Sequence, residues 1–372
     1  MEKLDIQELD KVLEGYEIKN GSNQNGIIQI NDENQQKQKQ CLDDNQKEKS
    51  EFLDILQLMN QMQSIQGRIK IQKFYENTQK LQLNQLQAKC SHNSYQQSDY
   101  YRQLSFNDQK LQQGGCLMLE FDLTLKQADT DNLDKKYTIY VAHDENEEPQ
   151  YTLARDLKSV YNYHADYPQH LPIFITLNFK SWILDFDLEI DKFYQSLEKT
   201  LTSVFRLEDI YQPNHQLQGE DNLFQSIQKY GQPQISEMLG KMVFILDAEQ
   251  YNLQNNQMNS FYQSYHSKIN DKLMFVTFDA RLVQNKYYTS IQDYYNKTGN
   301  MNQIFVNIRS HYKTNSTQYS IGLSVLQEAK QLNLVTRGYL LNTESLYKMY
   351  KGLGMNFLCT DKLFDTNYTI PI

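Results

Sequence analysis

Nine short apolar runs, separated by longer polar or amphipathic stretches, constrain the fold of this chain more than any other feature. The first run ends at His92, and the others are 116–124, 137–143, 172–180, 241–248, 273–279, 304–309, 334–340 and 356–361. Several of the stretches between them, such as 151–165, 186–204 and 321–332, have helical periodicity. Strands that alternate with helices predict a parallel sheet that is covered on both faces.

Eight strand–helix units close a barrel, so one of the nine runs is surplus. We expect the surplus run to be 304–309. We therefore predict an α/β fold, specifically a distorted TIM-type (β/α)8 barrel. An open doubly wound sheet is the structural alternative, but no glycine-rich phosphate turn follows the first strand.

The amino-terminal segment differs in composition from the rest. Residues 19–50 are rich in Asn, Gln, Lys and Asp and have few large apolar side chains, a composition typical of a flexible segment. Residues 51–63 place apolar side chains at helical spacing. We predict a partly helical, partly disordered extension over 1–70 and a barrel domain over 71–372.

Composition narrows the possible partners and compartments. The formal net charge of −9, from 37 basic and 46 acidic residues, argues against nucleic-acid binding, which needs a basic surface. The four cysteines have neither the spacing of a metal site nor the density of a disulfide framework. The amino terminus lacks the apolar core of a signal peptide, and no apolar run reaches eighteen residues. We therefore expect a cytoplasmic protein, secreted only if a signal sequence precedes this chain. We also expect it to be a monomer.

Two carboxylates and an amide lie near the ends of neighbouring runs. The alternation of strand side chains puts Glu120 and Asp122 on one face. Two carboxylates this close repel each other, and in so apolar a strand we favour a bound divalent cation over a solvated pair. Asn178 and Lys180 share a face of another run, where the amide offers an oxygen ligand and the ammonium a charge for an anionic group.

Two histidines close apolar runs. His92 and His143 are candidates for acid–base work, because imidazole titrates near neutral pH. One can take a proton from an attacking hydroxyl while the other protonates a leaving oxygen. Asp361 ends the last run, which adjoins the first in a closed barrel, and we expect it to orient His92. Asp247 also ends a run, but we expect it to cap the following helix.

Further polar groups at strand ends suggest contacts with an anion. Arg337 and Tyr339 share a face, where a guanidinium can bind a phosphate with the phenol beside it. The remaining histidines that we considered, His164, His170 and His215, lie in loop or helix-to-loop regions and are weaker candidates.

These motifs resemble the phosphatidylinositol-specific phospholipase C superfamily, most closely its calcium-dependent members. The resemblance covers roughly residues 86–365. It rests on 91–95 (SHNSY), 115–122 (GCLMLEFD), His143, 172–177 (PIFITL) and 360–361 (TD). It implies a distorted barrel that cleaves phosphoinositide lipids to diacylglycerol and an inositol cyclic phosphate, with His92 and His143 as the acid–base pair.

The resemblance also implies a calcium ion. Its ligands would be Asn93, Glu120 and Asp122, with Asn178 standing where the family commonly has a glutamate. An amide oxygen still ligates calcium but brings no charge, so the affinity should fall. The implied partner is a phosphoinositide lipid or its headgroup, reached through transient peripheral contact with a membrane.

Two other functions stay open. Glycerophosphodiester phosphodiesterases share the barrel and the Glu-x-Asp pair, but that family has an arginine and a glycine where this chain has Asn93 and Ser94. A catalytically degenerate phosphoinositide-binding barrel is favoured by Leu117, where the family has an arginine, and by Asn178. The presence of four polar side chains at apolar strand ends argues against such a degenerate barrel.

A lipid substrate requires a surface that meets the membrane. We expect aromatic or apolar side chains near the site entrance to serve this purpose, although ordinary loop packing is the alternative in a chain with 27 tyrosines. The candidates are Trp182, Ile183, Tyr287, Tyr288, Tyr294 and Tyr295.

Overall fold

The computed structural model describes residues 68–97, 99–106, 114–127, 137–143, 151–179, 190–248, 269–310 and 317–364. These residues contain the strands β1 (Ala88–Ser91), β2 (Met118–Gln127), β3 (Tyr137–Val141), β4 (Tyr151–Thr152), β5 (Ile173–Phe179), β6 (Met242–Ala248), β7 (Met274–Asp279), β8 (Phe305–Arg309), β9 (Val335–Tyr339) and β10 (Phe357–Thr360). Residues 1–67 lie outside the described part, so the predicted extension and its boundary at residue 70 stay predictions.

Eight of these strands form a closed parallel barrel, as predicted. The strands pair in the order β1-β10-β9-β8-β7-β6-β5-β2, and β2 pairs back with β1. The two remaining strands form an antiparallel appendage, in which β3 pairs with β2 and β4 with β3.

The prediction that 304–309 is the surplus run was wrong. Strand β8, from the run 304–309, lies between β7 and β9 and belongs to the barrel. The surplus run is 137–143, because β2 continues beyond its pairing with β5 and offers its free edge to β3. Local periodicity indicates a strand but does not say which neighbour it pairs with.

Helices occupy most of the connections between barrel strands. They are α1 (68–78), α2 (Tyr100–Leu104), α3 (Leu153–Asp166), α4 (Ile190–Thr202), α5 (Pro213–Leu217), α6 (Leu223–Tyr230), α7 (Arg281–Gln284), α8 (Ile291–Thr298), α9 (Thr317–Gln331) and α10 (Glu344–Gly352). Thr152, Asn222, Ser290 and Thr343 each cap a helix by accepting a hydrogen bond from a first-turn amide. No helix among the described residues has the length and apolar character needed to cross a membrane.

The barrel interior is apolar at the amino end of the strands and polar at the carboxyl end. At the amino end, the rings of Phe174 and Phe357 pack with centroids 4.7 Å apart, and those of Phe275 and Phe305 with centroids 5.3 Å apart. At the carboxyl end, the interior positions are taken by acids, amides and an arginine. Buried polar groups are costly unless they are paired, so this layer marks the end at which a site is expected.

Candidate active site

A cavity of about 380 Å³ lies at the carboxyl end of the barrel, which is near the lower end of the range for small-molecule sites. The structure brings most of the predicted site residues to its walls. These are His92, Asn93, Glu120, Asp122, His143, Asn178, Tyr339 and Asp361.

His92 and Asp361 form a hydrogen-bonded pair at the ends of adjacent strands. Cys90 and Cys359 are register partners of β1 and β10, so the residues two positions further along meet above them. The Nδ1 atom of His92 lies 2.7 Å from Asp361 Oδ1, and its Nε2 atom lies 3.7 Å from Glu120 Oε2. Burial works against the imidazolium, but the carboxylates of Glu120 and Asp361 outweigh it and raise the pKa of His92 above its usual value.

Neighbouring side chains hold this pair in place. The ring of Tyr339 stacks on the imidazole of His92, with centroids 5.7 Å apart and planes 13° from parallel. The backbone amide of Asp361 donates to Asn342 Oδ1 at 2.8 Å, and Gln97 Nε2 donates to the carbonyl of Asp361 at 2.9 Å. Burial opposes the Asp361 carboxylate, but the hydrogen bond with His92 prevails and lowers its pKa.

The acids and amides form a second group, the acid–amide cluster of Asn93, Glu120, Asp122 and Asn178. Asp122 Oδ1 accepts a hydrogen bond from Asn178 Nδ2, and Oδ2 accepts one from the hydroxyl of Tyr95, both at 2.7 Å. Glu120 Oε2 accepts one from the backbone amide of Asn93 at 3.2 Å. Asn93 has a φ of 48°, a left-handed conformation that asparagine tolerates better than most residues.

The donor set of the acid–amide cluster fits a calcium ion. All four side chains offer oxygen, the ligand atom that calcium prefers. Asn178 Oδ1 is buried and has no hydrogen-bond partner among the described residues, which leaves it available as a ligand. The described chain contains no group of three or more His, Cys, Asp or Glu side chains placed to hold a metal. A calcium ion held by the acid–amide cluster would therefore have two amide and two carboxylate side chains as ligands.

Arg337 does not reach the cavity wall, contrary to the predicted contact with substrate. Its side chain is 5% exposed, its Nη2 atom lies 2.9 Å from Glu120 Oε2, and its Nη1 atom donates to Asn307 Oδ1 at 2.7 Å. Burial opposes the charged form, but the carboxylate of Glu120 more than compensates and raises the pKa of Arg337. In this arrangement the guanidinium neutralises Glu120.

Some predicted residues cannot be placed or are placed elsewhere. Lys180, Trp182 and Ile183 lie outside the described residues. Of the candidate membrane-contacting tyrosines, Tyr287 is 42% exposed, whereas Tyr294 and Tyr295 belong to the core. Tyr288 packs edge-on against Tyr294 and is partly buried, so Tyr287 is the member of this group that faces solvent.

The cavity has further walls that the sequence did not reveal. The lining residues missed as site residues are Gln96, Asp247, Arg281, Asn307, Arg309 and Leu340. Asp247 was expected to cap a helix, and this prediction was wrong. Its Oδ1 accepts from the Thr277 hydroxyl at 2.7 Å, and its Oδ2 accepts from the amide of Asn307. Burial, followed by the nearby charge of Asp279, raises the pKa of Asp247 to about 7.

Two of the missed residues, Asp247 and Asn307, share one signal with the buried Asp279. Asp247, Asp279 and Asn307 occupy inward positions in the last two or three residues of β6, β7 and β8, as Asn178 does in β5. A search for polar side chains in register at the ends of all parallel runs would have found them.

Comparison with known proteins agrees with this fold. Residues 124–314 match the model of the family described as phosphoinositide phospholipase C, Ca2+-dependent. Among solved structures, a calcium-dependent phosphoinositol-specific phospholipase C from a Gram-negative Pseudomonas species is similar, with a TM-score of 0.56, 15% identity, and coverage of 78% of this chain and 93% of that one.

A second similar structure is a Ca2+-dependent phosphatidylinositol-specific phospholipase C from Streptomyces antibioticus. Its TM-score is 0.53 at 11% identity, with 77% of this chain and 98% of that one covered. At such identities the likeness shows a shared fold. Curated protein sequences give no significant match. Because the matched residues 124–314 make up half of the sequence, the chain belongs to the Ca2+-dependent phosphoinositide phospholipase C family.

Proposed function

We propose that this protein is a phosphoric diester hydrolase that cleaves phosphatidylinositol-type lipids to diacylglycerol and an inositol cyclic phosphate. One observation carries the proposal: two histidines, one of them bonded to an aspartate, line the same cavity as the acid–amide cluster. Membership of the family supports phosphodiester chemistry, and the headgroup and products are our inference.

In this proposal His92 is the base and His143 the acid. Asp361 holds the Nδ1 atom of His92, which leaves Nε2 to take the proton of the ring hydroxyl next to the phosphodiester. The hydroxyl oxygen forms a bond to phosphorus, and the bond from phosphorus to the diacylglycerol oxygen breaks. His143 gives a proton to that leaving oxygen.

Asn93, Glu120, Asp122 and Asn178 are the residues that would hold a calcium ion. When bound, the ion supplies positive charge for the phosphate oxygens. With an amide at Asn178 we expect weaker binding than a glutamate at this position would give. We further propose that Lys180 contacts an anionic group of the substrate.

Contact with a membrane is proposed through Tyr287. This exposed side chain follows α7, and Arg281 at the start of α7 lines the cavity. Replacement of Tyr287 by Ser should reduce co-sedimentation with phosphatidylinositol vesicles by a few fold, whereas Tyr230→Ser, at an exposed tyrosine in α6, should not. Equal effects of the two changes would contradict a role for Tyr287.

The test of the function is release of water-soluble inositol phosphate from phosphatidylinositol vesicles, with calcium and with a chelator. We expect turnover with calcium and loss of turnover with chelator. Turnover that chelator leaves unchanged would contradict the calcium role while keeping the hydrolase. Turnover of glycerophosphoinositol in a parallel assay, without turnover of the lipid, would contradict the lipid substrate.

A further inference from the structure

We propose that the wall of the cavity opposite His92 binds free hydroxyl groups of the substrate ring, so that the preferred lipid carries an inositol without ring phosphates. This inference rests on the proposed function and names the substrate class of the same cavity. The far wall consists of Asp247, Arg281, Asn307 and Arg309, with Asp279 behind Arg281.

The far wall lies across the barrel from His92. In the closed strand order, β7 is four strands from β1 in either direction, and β6 and β8 flank it. A ring whose phosphodiester lies between His92 and His143 therefore presents its distant positions to the far wall. Substituents at those positions decide whether a headgroup is accepted.

Asp247 is a fixed hydrogen-bond acceptor in this wall. Thr277 donates to one of its oxygens and Asn307 to the other, and Arg337 in turn donates to Asn307. The carboxylate is almost fully buried, so it cannot turn away from the cavity. Each carboxylate oxygen has room for a second donor, which a ring hydroxyl can supply and a phosphate dianion cannot.

The charges of the far wall do not favour a ring phosphate. The Nε atom of Arg281 bonds both oxygens of Asp279, at 3.0 and 2.7 Å, so this guanidinium is already paired with a buried carboxylate. Asp279 neutralises Arg281, whereas Asp247 offsets Arg309 only in part at neutral pH, because the pKa of Asp247 is raised to about 7. A ring phosphate would bring roughly two negative charges at neutral pH next to the Asp247 carboxyl group, and Arg309 is the one charged group of this wall left to offset them.

The same side chains suit a polyol. A hydroxyl both donates and accepts, and the far wall offers donors on Asn307 and on the arginines beside the acceptor on Asp247. A site that is built to hydrogen-bond hydroxyl groups rejects ligands that lack them by large factors, because its polar groups then stay unpaired. We therefore expect strong discrimination from this wall.

The first experiment compares three lipids with the unmodified protein and calcium. Hydrolysis of phosphatidylinositol, its 4-phosphate and its 4,5-bisphosphate is measured in mixed micelles at equal mole fractions. We expect kcat/KM to fall in that order, by about a hundredfold from the first to the last. Equal or reversed rates would overturn the inference and leave the hydrolase intact. Absence of hydrolysis of all three would overturn the proposed function, and the binding experiment then decides the inference.

The second experiment measures binding by calorimetry and needs no turnover. The ligands are myo-inositol 1-phosphate and inositol 1,4,5-trisphosphate, and the proteins are the wild type, Asp247→Asn and a matched control, Asp221→Asn, at an exposed acid. We expect the wild type and the control to prefer the monophosphate, and Asp247→Asn to lose about tenfold of that preference.

A third variant keeps the inference testable if Asp247→Asn does not fold. If Asp247→Asn melts at the assay temperature, Thr277→Val removes a donor to Asp247 and leaves the acceptor in place. We expect Thr277→Val to weaken binding of the monophosphate and so to reduce the preference for it, as Asp247→Asn does. Tighter binding of the trisphosphate by the wild type, or an unchanged preference in a folded variant, would overturn the inference.

Discussion

Histidine–carboxylate clusters occur at both ends of the barrel, and their surroundings give them opposite protonation behaviour. At the carboxyl end His92 lies 2.7 Å from Asp361, and its pKa is raised. At the amino end His164 lies 3.6 Å from Asp209 and 2.9 Å from His170. There burial dominates and lowers the pKa of both histidines, that of His170 to about 4.

The difference shows that a histidine beside a carboxylate is not in itself a site. At the amino end, the Nδ1 atom of His170 bonds the carbonyl oxygen of Leu171 and so carries the proton, and its Nε2 atom accepts from Nδ1 of His164, so both ring nitrogens of His170 are satisfied in the neutral form. Neither histidine lines the cavity. At the carboxyl end His92 faces the cavity, where it can exchange a proton with a ligand.

The largest expected effect separates the two clusters directly. His92→Ala should lower kcat on phosphatidylinositol by about a thousandfold, because the proposed base is lost, and it should also lower the melting temperature, because its ring is nearly as buried as that of His164. His164→Ala should lower the melting temperature as well, because it empties a buried polar site, but should keep kcat within a few fold. Vesicle hydrolysis and thermal melting measure both quantities. Equal losses of kcat in His92→Ala and His164→Ala would contradict the distinction between the two clusters.

A smaller loss is expected from Asp361→Asn. The amide keeps the shape of Asp361 but no longer stabilises the imidazolium that forms on His92 during proton transfer, so kcat should fall by about a hundredfold. Asp209→Asn, at the amino-end cluster, is the matched control and should leave kcat unchanged. The rates of the two variants, measured on folded protein, test whether Asp361 acts on the chemistry.

The amino-end cluster should act on stability alone. Since the folded pKa of His170 is about 4 and the unfolded pKa about 6.5, the unfolded chain binds more protons between these values. The contribution of His170 is therefore complete above pH 6.5 and is lost as the pH falls towards 4, by about 2 kcal/mol between pH 7 and pH 5.

Urea unfolding of the wild type and of His170→Gln at both pH values measures this contribution. The difference in unfolding free energy between the two proteins should change by that amount. A difference that is the same at pH 7 and pH 5 would show that His170 is not held in its neutral form.

The smallest expected effect concerns the acid–amide cluster, which the amino end lacks. Asn178→Glu adds a third carboxylate and should tighten calcium binding by roughly tenfold, since ligand charge tunes affinity in calcium sites. Asn296→Glu, on the exposed face of α8, is the matched control and should have no effect. Calcium titration by calorimetry gives both affinities, and equal values would contradict the assignment of Asn178 as a ligand.

The barrel and the pairing of His92 with Asp361 could be predicted because they depend on local sequence pattern. The parallel barrel follows from short apolar runs between amphipathic stretches. The proximity of His92 and Asp361 follows from closure, because the first and last strands must then be neighbours. Both features follow from the order of the strands and helices and need no knowledge of side-chain geometry.

The wrong predictions concern strand pairing and side-chain partners that tertiary contacts determine. The run 137–143 has the pattern of a barrel strand, and only the long edge of β2 makes it antiparallel. Arg337 was expected to face a ligand, but the buried carboxylate of Glu120 needs a charge partner and takes it. Asp247 was read as a cap because its inward partners, Thr277 and Asn307, lie on strands distant in sequence.

The most direct test of the central claim is identification of the product by phosphorus NMR during incubation of phosphatidylinositol vesicles with the protein and calcium. We predict the appearance of an inositol cyclic phosphate resonance with wild-type protein and with His164→Ala, and its absence with His92→Ala. A cyclic phosphate produced equally well without His92, or lipid cleavage that yields no cyclic product at any time, would contradict the assignment of the carboxyl-end cluster as the catalytic site.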